Sequence, residues 1–333
     1  MKESSIDRPF IKSPFLSKII ELFDSLRFKK AHFGAASCFL LTGESGSGKS
    51  ELAKYYLKNN PVVEQAERTY IPVVHFELKS ISTPQEFLRS MLVTIGDPQQ
   101  GLGARNKGEL YERLVRLIKV TGIELLILDE IQVIIERRSA KVVTGIADLF
   151  KDLIKDTQLP IVFMGMPWST YLIDSNQQLR RRIAYRYVIP PYRISQKEYR
   201  EDYRRLLKLL ADAYEISKDI KLEELSMALR FFGATNGNLA ITSDLIFDAF
   251  MRSKMENKKV DIALLAGVLG DYGIHDDCNP FLLPIEKLEL KELIVYSDWH
   301  FGNRANKNSI IEAEYAMYGV TSDKKLYAVS GVA

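Results

Sequence analysis

Gly43-Glu44-Ser45-Gly46-Ser47-Gly48-Lys49-Ser50 is a complete GxxxxGK[ST] octapeptide, set between an apolar run at 38–42 and a helix-forming stretch at 50–58. That strand, loop and helix context separates a phosphate-binding loop from a chance glycine-rich turn. Its glycines let consecutive backbone N–H groups fold inward onto phosphate oxygens, with the positive end of the following helix behind them. Lys49 has the reach for β- and γ-phosphates, and the Ser50 hydroxyl suits Mg2+. The candidate cofactor-binding set is therefore Gly43, Glu44, Ser45, Gly46, Ser47, Gly48, Lys49, Ser50 and the adjoining Glu51.

Outward from the loop, short apolar runs alternate with amphipathic stretches as far as Pro191, the pattern of a mostly parallel sheet covered on both faces. Strands are expected over 38–42, 73–78, 124–128, 161–165 and 187–189, and helices over 50–58, 84–95, 108–121 and 143–156. In the third helix Leu110, Leu114, Leu117 and Ile118 share one face. Pro190-Pro191 cannot continue a central strand, and beyond it the apolar spacing is helical, over 195–213, 222–232, 238–254 and 260–269. Past Asp271 the periodicity breaks among Asn279, Pro280, Pro284, Gly302, Asn303 and Asn306. The expected fold class is α/β: a P-loop parallel-sheet domain with helices on both faces, followed by a smaller all-helical lid. The expected organisation is an N-terminal segment at 1–33, the nucleotide-binding domain at 34–192, the helical lid at 193–270 and an irregular C-terminal arm at 271–333.

A second chemical signal is Leu125-Leu126-Ile127-Leu128-Asp129-Glu130, an apolar strand ending in two acids. In a parallel sheet both emerge at the carboxyl edge, beside the phosphate loop. Asp129 is the candidate metal ligand with Ser50, and Glu130 the candidate to orient or deprotonate an attacking water. Arg180, Arg181 and Arg182 stand directly before the last strand. An arginine that stabilises charge on a transferring phosphoryl group is worth about 10³ to 10⁵ in rate. If it comes from a neighbouring subunit, hydrolysis requires assembly; a solvated turn or a patch facing DNA phosphates is the alternative.

At 333 residues the chain has room for about two domains. With 46% hydrophobic and 27% charged residues it fits neither wholesale disorder nor a rod. Cys38 and Cys278 alone supply no disulfide framework or metal cluster. His32, His75, His275 and His300 lack metal-ligand spacing, and His75 reads as a strand residue rather than a base. The first ten residues lack a signal-peptide core and no run reaches the roughly 18 to 20 apolar residues of a membrane span, so a cytoplasmic setting is expected. A net charge of +3 identifies no polyanion, yet between Arg180 and Arg205 nine basic residues face three acids. The loop at 99–107, with Arg105 and Lys107, reads as flexible and cationic, and Arg137, Arg138 and Lys141 follow Glu130. These five are the candidate DNA contacts, repeated around a pore in an oligomer, against the plainer reading of solvated charged loops.

Together, the phosphate loop, Leu128-Asp129-Glu130, the arginine segment Gln178-Leu179-Arg180-Arg181-Arg182-Ile183 and the helical continuation resemble AAA+ ATPases of the initiator-like branch. With the stretch from Ser82-Thr83-Pro84 to Asp97-Pro98, the strand Pro160-Ile161-Val162-Phe163-Met164-Gly165 and Asn279-Pro280-Phe281, the chain looks like the TniB/TnsC family, ATPase regulators of bacterial transposition. The resemblance spans roughly residues 34 to 285. It implies an ATPase that binds ATP and Mg2+ and forms a homo-oligomeric ring or helical filament on double-stranded DNA. It also implies a role linking a target-selector protein of the TniQ type to the transposase, with no membrane partner. It makes Arg182 the finger arginine, with Arg181 beside it as the further catalytic candidate. Two departures imply slow or partner-dependent hydrolysis. The fourth strand runs into Met164-Gly165-Met166-Pro167 with no polar sensor, and Gly237-Asn238-Leu239-Ala240 carries no lid arginine.

Two other classes share the loop and sheet. A P-loop kinase phosphorylating a small molecule closes an arginine-bearing lid to exclude water, whereas Glu130 here is set to use water. A nucleotide-binding switch without DNA is the third reading.

Overall fold

The computed structural model describes residues 10–79, 83–136, 139–296 and 313–329. The chain opens with helix α1 (Pro14–Phe33). Ser13 caps it through a 3.2 Å bond from the Leu16 N–H, Pro14 occupies the first turn, and Gly34 closes it at φ +59°. Apart from a short antiparallel pair, Val63–Glu64 with Thr69–Tyr70, five strands follow: β1 (Cys38–Gly43), β2 (Val73–Glu77), β3 (Leu125–Asp129), β4 (Ile161–Gly165) and β5 (Ile183–Ile189). They form one parallel sheet in the order β2-β3-β4-β1-β5.

Alternate residues of each strand feed two cores. Cys38 and Leu40 of β1, Leu126 and Leu128 of β3, and Ile161 and Phe163 of β4 face one; Phe39, Leu41, Leu125, Ile127, Val162 and Met164 face the other. Burial on both faces is why these strands read as unbroken apolar runs. The first core is closed by α3 (Pro84–Thr94), α4 (Lys107–Thr121), α5 (Gln132–Glu136) and α6 (Ala140–Thr157). The second is closed by α2 (Lys49–Lys58) and by α1, through Leu16, Ile19, Phe23 and Leu26. Residues 1–33 read in sequence only as a leading segment, but 14–33 form a helix that closes one face of the sheet. An Arg27–Glu124 ion pair at 2.7 Å ties α1 to the start of β3. Two short helices, α7 (Thr170–Asp174) and α8 (Gln177–Arg180), precede β5.

Beyond Pro190-Pro191 come α9 (Lys197–Ala213), α10 (Leu225–Thr235), α11 (Leu239–Glu256) and α12 (Ile262–Asp271) around a separate core. Tyr203 is fully buried there, its hydroxyl within 3.1 Å of Thr235 Oγ1 and 3.3 Å of Thr242 Oγ1. Asn279 is buried in the same region and donates to the Ala266 carbonyl at 2.9 Å, while Phe281 packs edge-on to Phe231.

The arm expected to be irregular is not so in its described part. β6 (Glu289–Tyr296), β7 (Ala313–Val320) and β8 (Leu326–Ala328) form an antiparallel sheet in the order β8-β7-β6, and Leu288, Leu290 and Val320 join the lid core. The inward alternation Leu288, Leu290 continues into a fully buried Glu292. Its carboxylate accepts from the N–H of Ile194 (2.6 Å) and Ser195 (2.7 Å), the Ser195 hydroxyl (2.8 Å) and Arg193 Nε (2.7 Å). These bonds hold its pKa below the usual carboxylate range against the upward push of burial. Among the described residues no helix is long and apolar enough to cross a membrane.

Candidate nucleotide site

β1 ends on the phosphate loop, whose turn demands glycine at two places. Gly46 (φ +74°) and Gly48 (φ +91°) are left-handed, and a Cβ on Gly46 would stand 2.6 Å from Asn238 Oδ1. Lys49 is 5% exposed, and its ammonium donates to the carbonyls of Gly43 (2.8 Å) and Glu44 (2.7 Å). Burial lowers its pKa, with Asp129, Glu130 and Glu44 opposing. The first turn of α2 leaves the amides of Lys49, Ser50 and Glu51 without intrahelical partners. The Glu51 carboxylate itself is paired with Lys54 at 2.7 Å, so it offers a phosphate only its backbone.

Register places Asp129 at the loop's side of the sheet, where the Ser50 hydroxyl donates to its Oδ2 at 2.7 Å. Burial pushes the Asp129 pKa up, but His75, the Ser50 hydroxyl and the Glu130 N–H hold it below the ordinary value. His75 lies on β2 as read, with Nε2 3.5 Å from Asp129 Oδ2, a proximity that sequence spacing did not reveal. Glu130 adopts φ +60°, and burial and the neighbouring Asp129 charge raise its pKa. Its Oε2 accepts from Gln132 Nε2. Among the described residues no group of three or more His, Cys, Asp or Glu is arranged to hold a metal. Ser50 and Asp129 supply two hard oxygens, which fits Mg2+, an ion that completes its octahedron with phosphates and water.

A cavity of about 450 Å3 adjoins the loop. Its walls are Ile11 and Pro14 at the start of α1, the linker Ile189 to Arg193, Tyr199 and Leu206 of α9, and Leu239 of α11. Arg193 lies over the Tyr199 ring at 4.8 Å. None of these residues was read from sequence as part of the site; they come from separate segments and share no motif. The lid meets the loop directly: Asn238 Nδ2 donates to the Ser45 carbonyl at 3.1 Å and the Ala240 N–H to the Gly46 carbonyl at 3.0 Å.

The arginine segment lies elsewhere. The Cys38 N–H donates to the Arg182 carbonyl at 2.8 Å, and Cys38 pairs with Ile183 while Gly43 pairs with Ile189. Arg182 therefore sits at the amino edge of the sheet, roughly 20 Å from its own phosphate loop at about 3.3 Å per residue. Arg181 is exposed beside it; Arg180 and Arg186 both reach Asp174, at 3.6 and 2.8 Å. Of the candidate DNA contacts, Arg137 and Arg138 lie outside the described residues. Arg105 is exposed but paired with Glu109 at 2.7 Å; Lys107 and Lys141 are exposed at the starts of α4 and α6. The start of the loop that carries Arg105 is braced by hydrogen bonds. Buried Asp97 accepts from the Gly101 N–H (2.7 Å) and pairs with Arg113 (2.6 Å), whose guanidinium also donates to the Leu102 carbonyl.

Comparison with known proteins agrees with this geometry. The family described as "Bacterial TniB protein" matches residues 5–192, including α1. No curated protein sequence matches the chain. Similar solved structures include the ORC2 protein of Aeropyrum pernix in ADPNP–ADP complexes, at 14% identity over 81% of this chain and 70% of that one, TM-score 0.54. The ORC1 protein of the same organism in complex with DNA aligns at 18% identity over 78% of this chain and 66% of that one, TM-score 0.53. Cdc6p from Pyrobaculum aerophilum aligns at 13% over 85% and 74%, TM-score 0.55. At these identities the likeness is one of fold, the AAA+ arrangement of a five-stranded parallel sheet with helices after it.

Proposed function

This chain belongs to the family of bacterial TniB proteins, and on that footing we propose that it is a DNA-associated ATPase that regulates transposition. It binds ATP with Mg2+, assembles on duplex DNA as a ring or helical filament in the cytoplasm, and links a TniQ-type target selector to the transposase. The likeness to structures named for nucleotide and DNA complexes supports the two ligands.

In this reading the base and ribose lie in the cavity beside the loop. The triphosphate takes the amides of Gly46 to Glu51, and Lys49 exchanges its carbonyl partners for phosphate oxygens. Ser50 and Asp129 would hold Mg2+, which would neutralise phosphate charge. Glu130, raised in basicity and partly buried beside them, takes the proton of the attacking water. Arg182, with Arg181 beside it, stabilises the transferring group from the next subunit. Lys107, Lys141 and Arg105 contribute to phosphate tracking, so DNA binding falls steeply with salt.

The observation that carries the proposal is the opposition of edges: the nucleotide machinery stands at the carboxyl end of the sheet and Arg182 at the amino end. One chain cannot bring them together; two stacked head to tail can. Electron microscopy with duplex DNA and a non-hydrolysable ATP analogue should reveal multi-subunit assemblies that require both ligands. Solitary molecules would overturn it, and a phosphorylated metabolite in place of DNA-stimulated free phosphate would point to a P-loop kinase.

A further inference from the structure

Gln132 is 5% exposed and uses both ends of its side-chain amide. Nε2 donates to Glu130 Oε2, and Oε1 accepts from the Met166 N–H at 3.1 Å. The second partner lies just past β4, so one side chain joins the acid at the end of one central strand to the backbone leaving its neighbour.

The surroundings are shaped for this bridge. Glu130 at φ +60° ends β3 in a turn that brings residue 132 back over residue 130, and the Ile131 N–H fastens that turn to the Met164 carbonyl at 3.1 Å. Gly165 leaves the necessary room, since a Cβ there would fall 2.6 Å from Gln132 Oε1 and 2.3 Å from Ser169 Oγ. The chemistry is equally restrictive. A carboxamide donates to a carboxylate from one end while accepting from a peptide N–H at the other; a glutamate offers acceptors only, and a methionine no N–H. The bridge engages Oε2 of Glu130.

We infer that Gln132 is a positioning residue for hydrolysis, holding the Glu130 carboxylate by one oxygen and tying its orientation to the end of β4. This deepens the ATPase reading and rests on it. Gln132 touches no substrate, so its whole effect must pass through Glu130.

The test uses the full-length protein with duplex DNA and two variants of matched size, Gln132→Met and Gln132→Glu. Single-turnover hydrolysis of radiolabelled ATP is measured together with binding of a fluorescent ATP analogue and thermal unfolding. Each substitution should slow hydrolysis about tenfold to a hundredfold, the range for losing a support that aims a reacting group, with affinity for the analogue within about twofold of wild type. Neither should slow hydrolysis further when Glu130 is already Gln, because the group being positioned is then gone. A folded variant that hydrolyses within about twofold of wild type overturns the inference, and so does an equal further loss in the Glu130→Gln background. If Gln132→Met does not fold, Gln132→Glu decides, since it keeps an acceptor for the Met166 N–H; loss of fold in both overturns the inference in favour of a structural bridge. Absence of hydrolysis by the wild type with DNA would be a different result, overturning the ATPase reading itself.

Discussion

The two ends of the parallel sheet hold their charges differently. At the carboxyl end Ser50, Asp129, Glu130 and Gln132 are linked by hydrogen bonds, and Lys49 is buried against loop carbonyls. At the amino end Arg181 and Arg182 form no ion pair with any described residue, although Arg180 and Arg186 share Asp174. Groups at the first end hold one another in orientation, which is what electrostatic catalysis requires. In the proposed reading, the cations Arg181 and Arg182 at the second end would serve a neighbouring copy. On that reading the contrast would make each subunit half of a catalytic seam.

The largest effect should come from breaking the first end. Lys49→Ala removes the cation facing the phosphates, and titration with a fluorescent nucleotide should register at least a hundredfold loss of affinity, about 3 kcal/mol, the scale of a lost charge-assisted bond. DNA-dependent assembly should vanish with it. Breaking the second end should leave nucleotide binding within about twofold while Arg182→Ala lowers DNA-stimulated phosphate release about a thousandfold. Glu130→Gln should bind ATP normally, slow hydrolysis about a hundredfold and prolong the assembled state, read by light scattering after ATP addition. If it turns over at the wild-type rate, Glu130 is not the base.

Away from both ends, Glu292→Gln would leave Arg193 and two backbone amides poorly met and should cost about 3 kcal/mol in denaturant unfolding. The folded pKa of Glu292 lies below its unfolded value. Its contribution is therefore complete above the unfolded pKa, near 4.3, and lost as pH falls through the folded one. The wild type should lose stability over that acidic window more steeply than Glu292→Gln. The smallest change belongs to Arg105→Ala, which removes only an exposed pair with Glu109; it should weaken DNA binding at low salt and leave the unfolding midpoint nearly unmoved.

The carboxyl end was legible in the sequence because its chemistry is local. Eight consecutive residues make the phosphate loop, and strands buried on both faces announce themselves as apolar runs such as Leu125 to Leu128. Helix α1 went unread, 1–33 standing only as a leading segment: Leu16, Ile19, Phe23 and Leu26 keep helical spacing behind a Ser-Pro start, but no motif called attention to them. The C-terminal sheet was hidden for a physical reason: β6 places a buried Glu292 where alternation calls for an apolar residue. The cavity wall could not be read because Ile11, Arg193 and Leu206 meet only in three dimensions. Gln132 sits two residues from Glu130, yet its role depends on the left-handed turn at Glu130 and on Gly165, neither of which spacing discloses.

The central claim, that Arg182 completes a neighbour's nucleotide site, is tested most directly by mixing. Arg182→Ala subunits keep a usable phosphate loop, and Lys49→Ala subunits keep the arginine; each alone with DNA should release almost no phosphate. Combined on one DNA, they should recover hydrolysis in proportion to the mixed contacts formed. If the mixture is as inert as its components while both proteins remain folded and co-assemble, Arg182 does not act across the seam and the account fails.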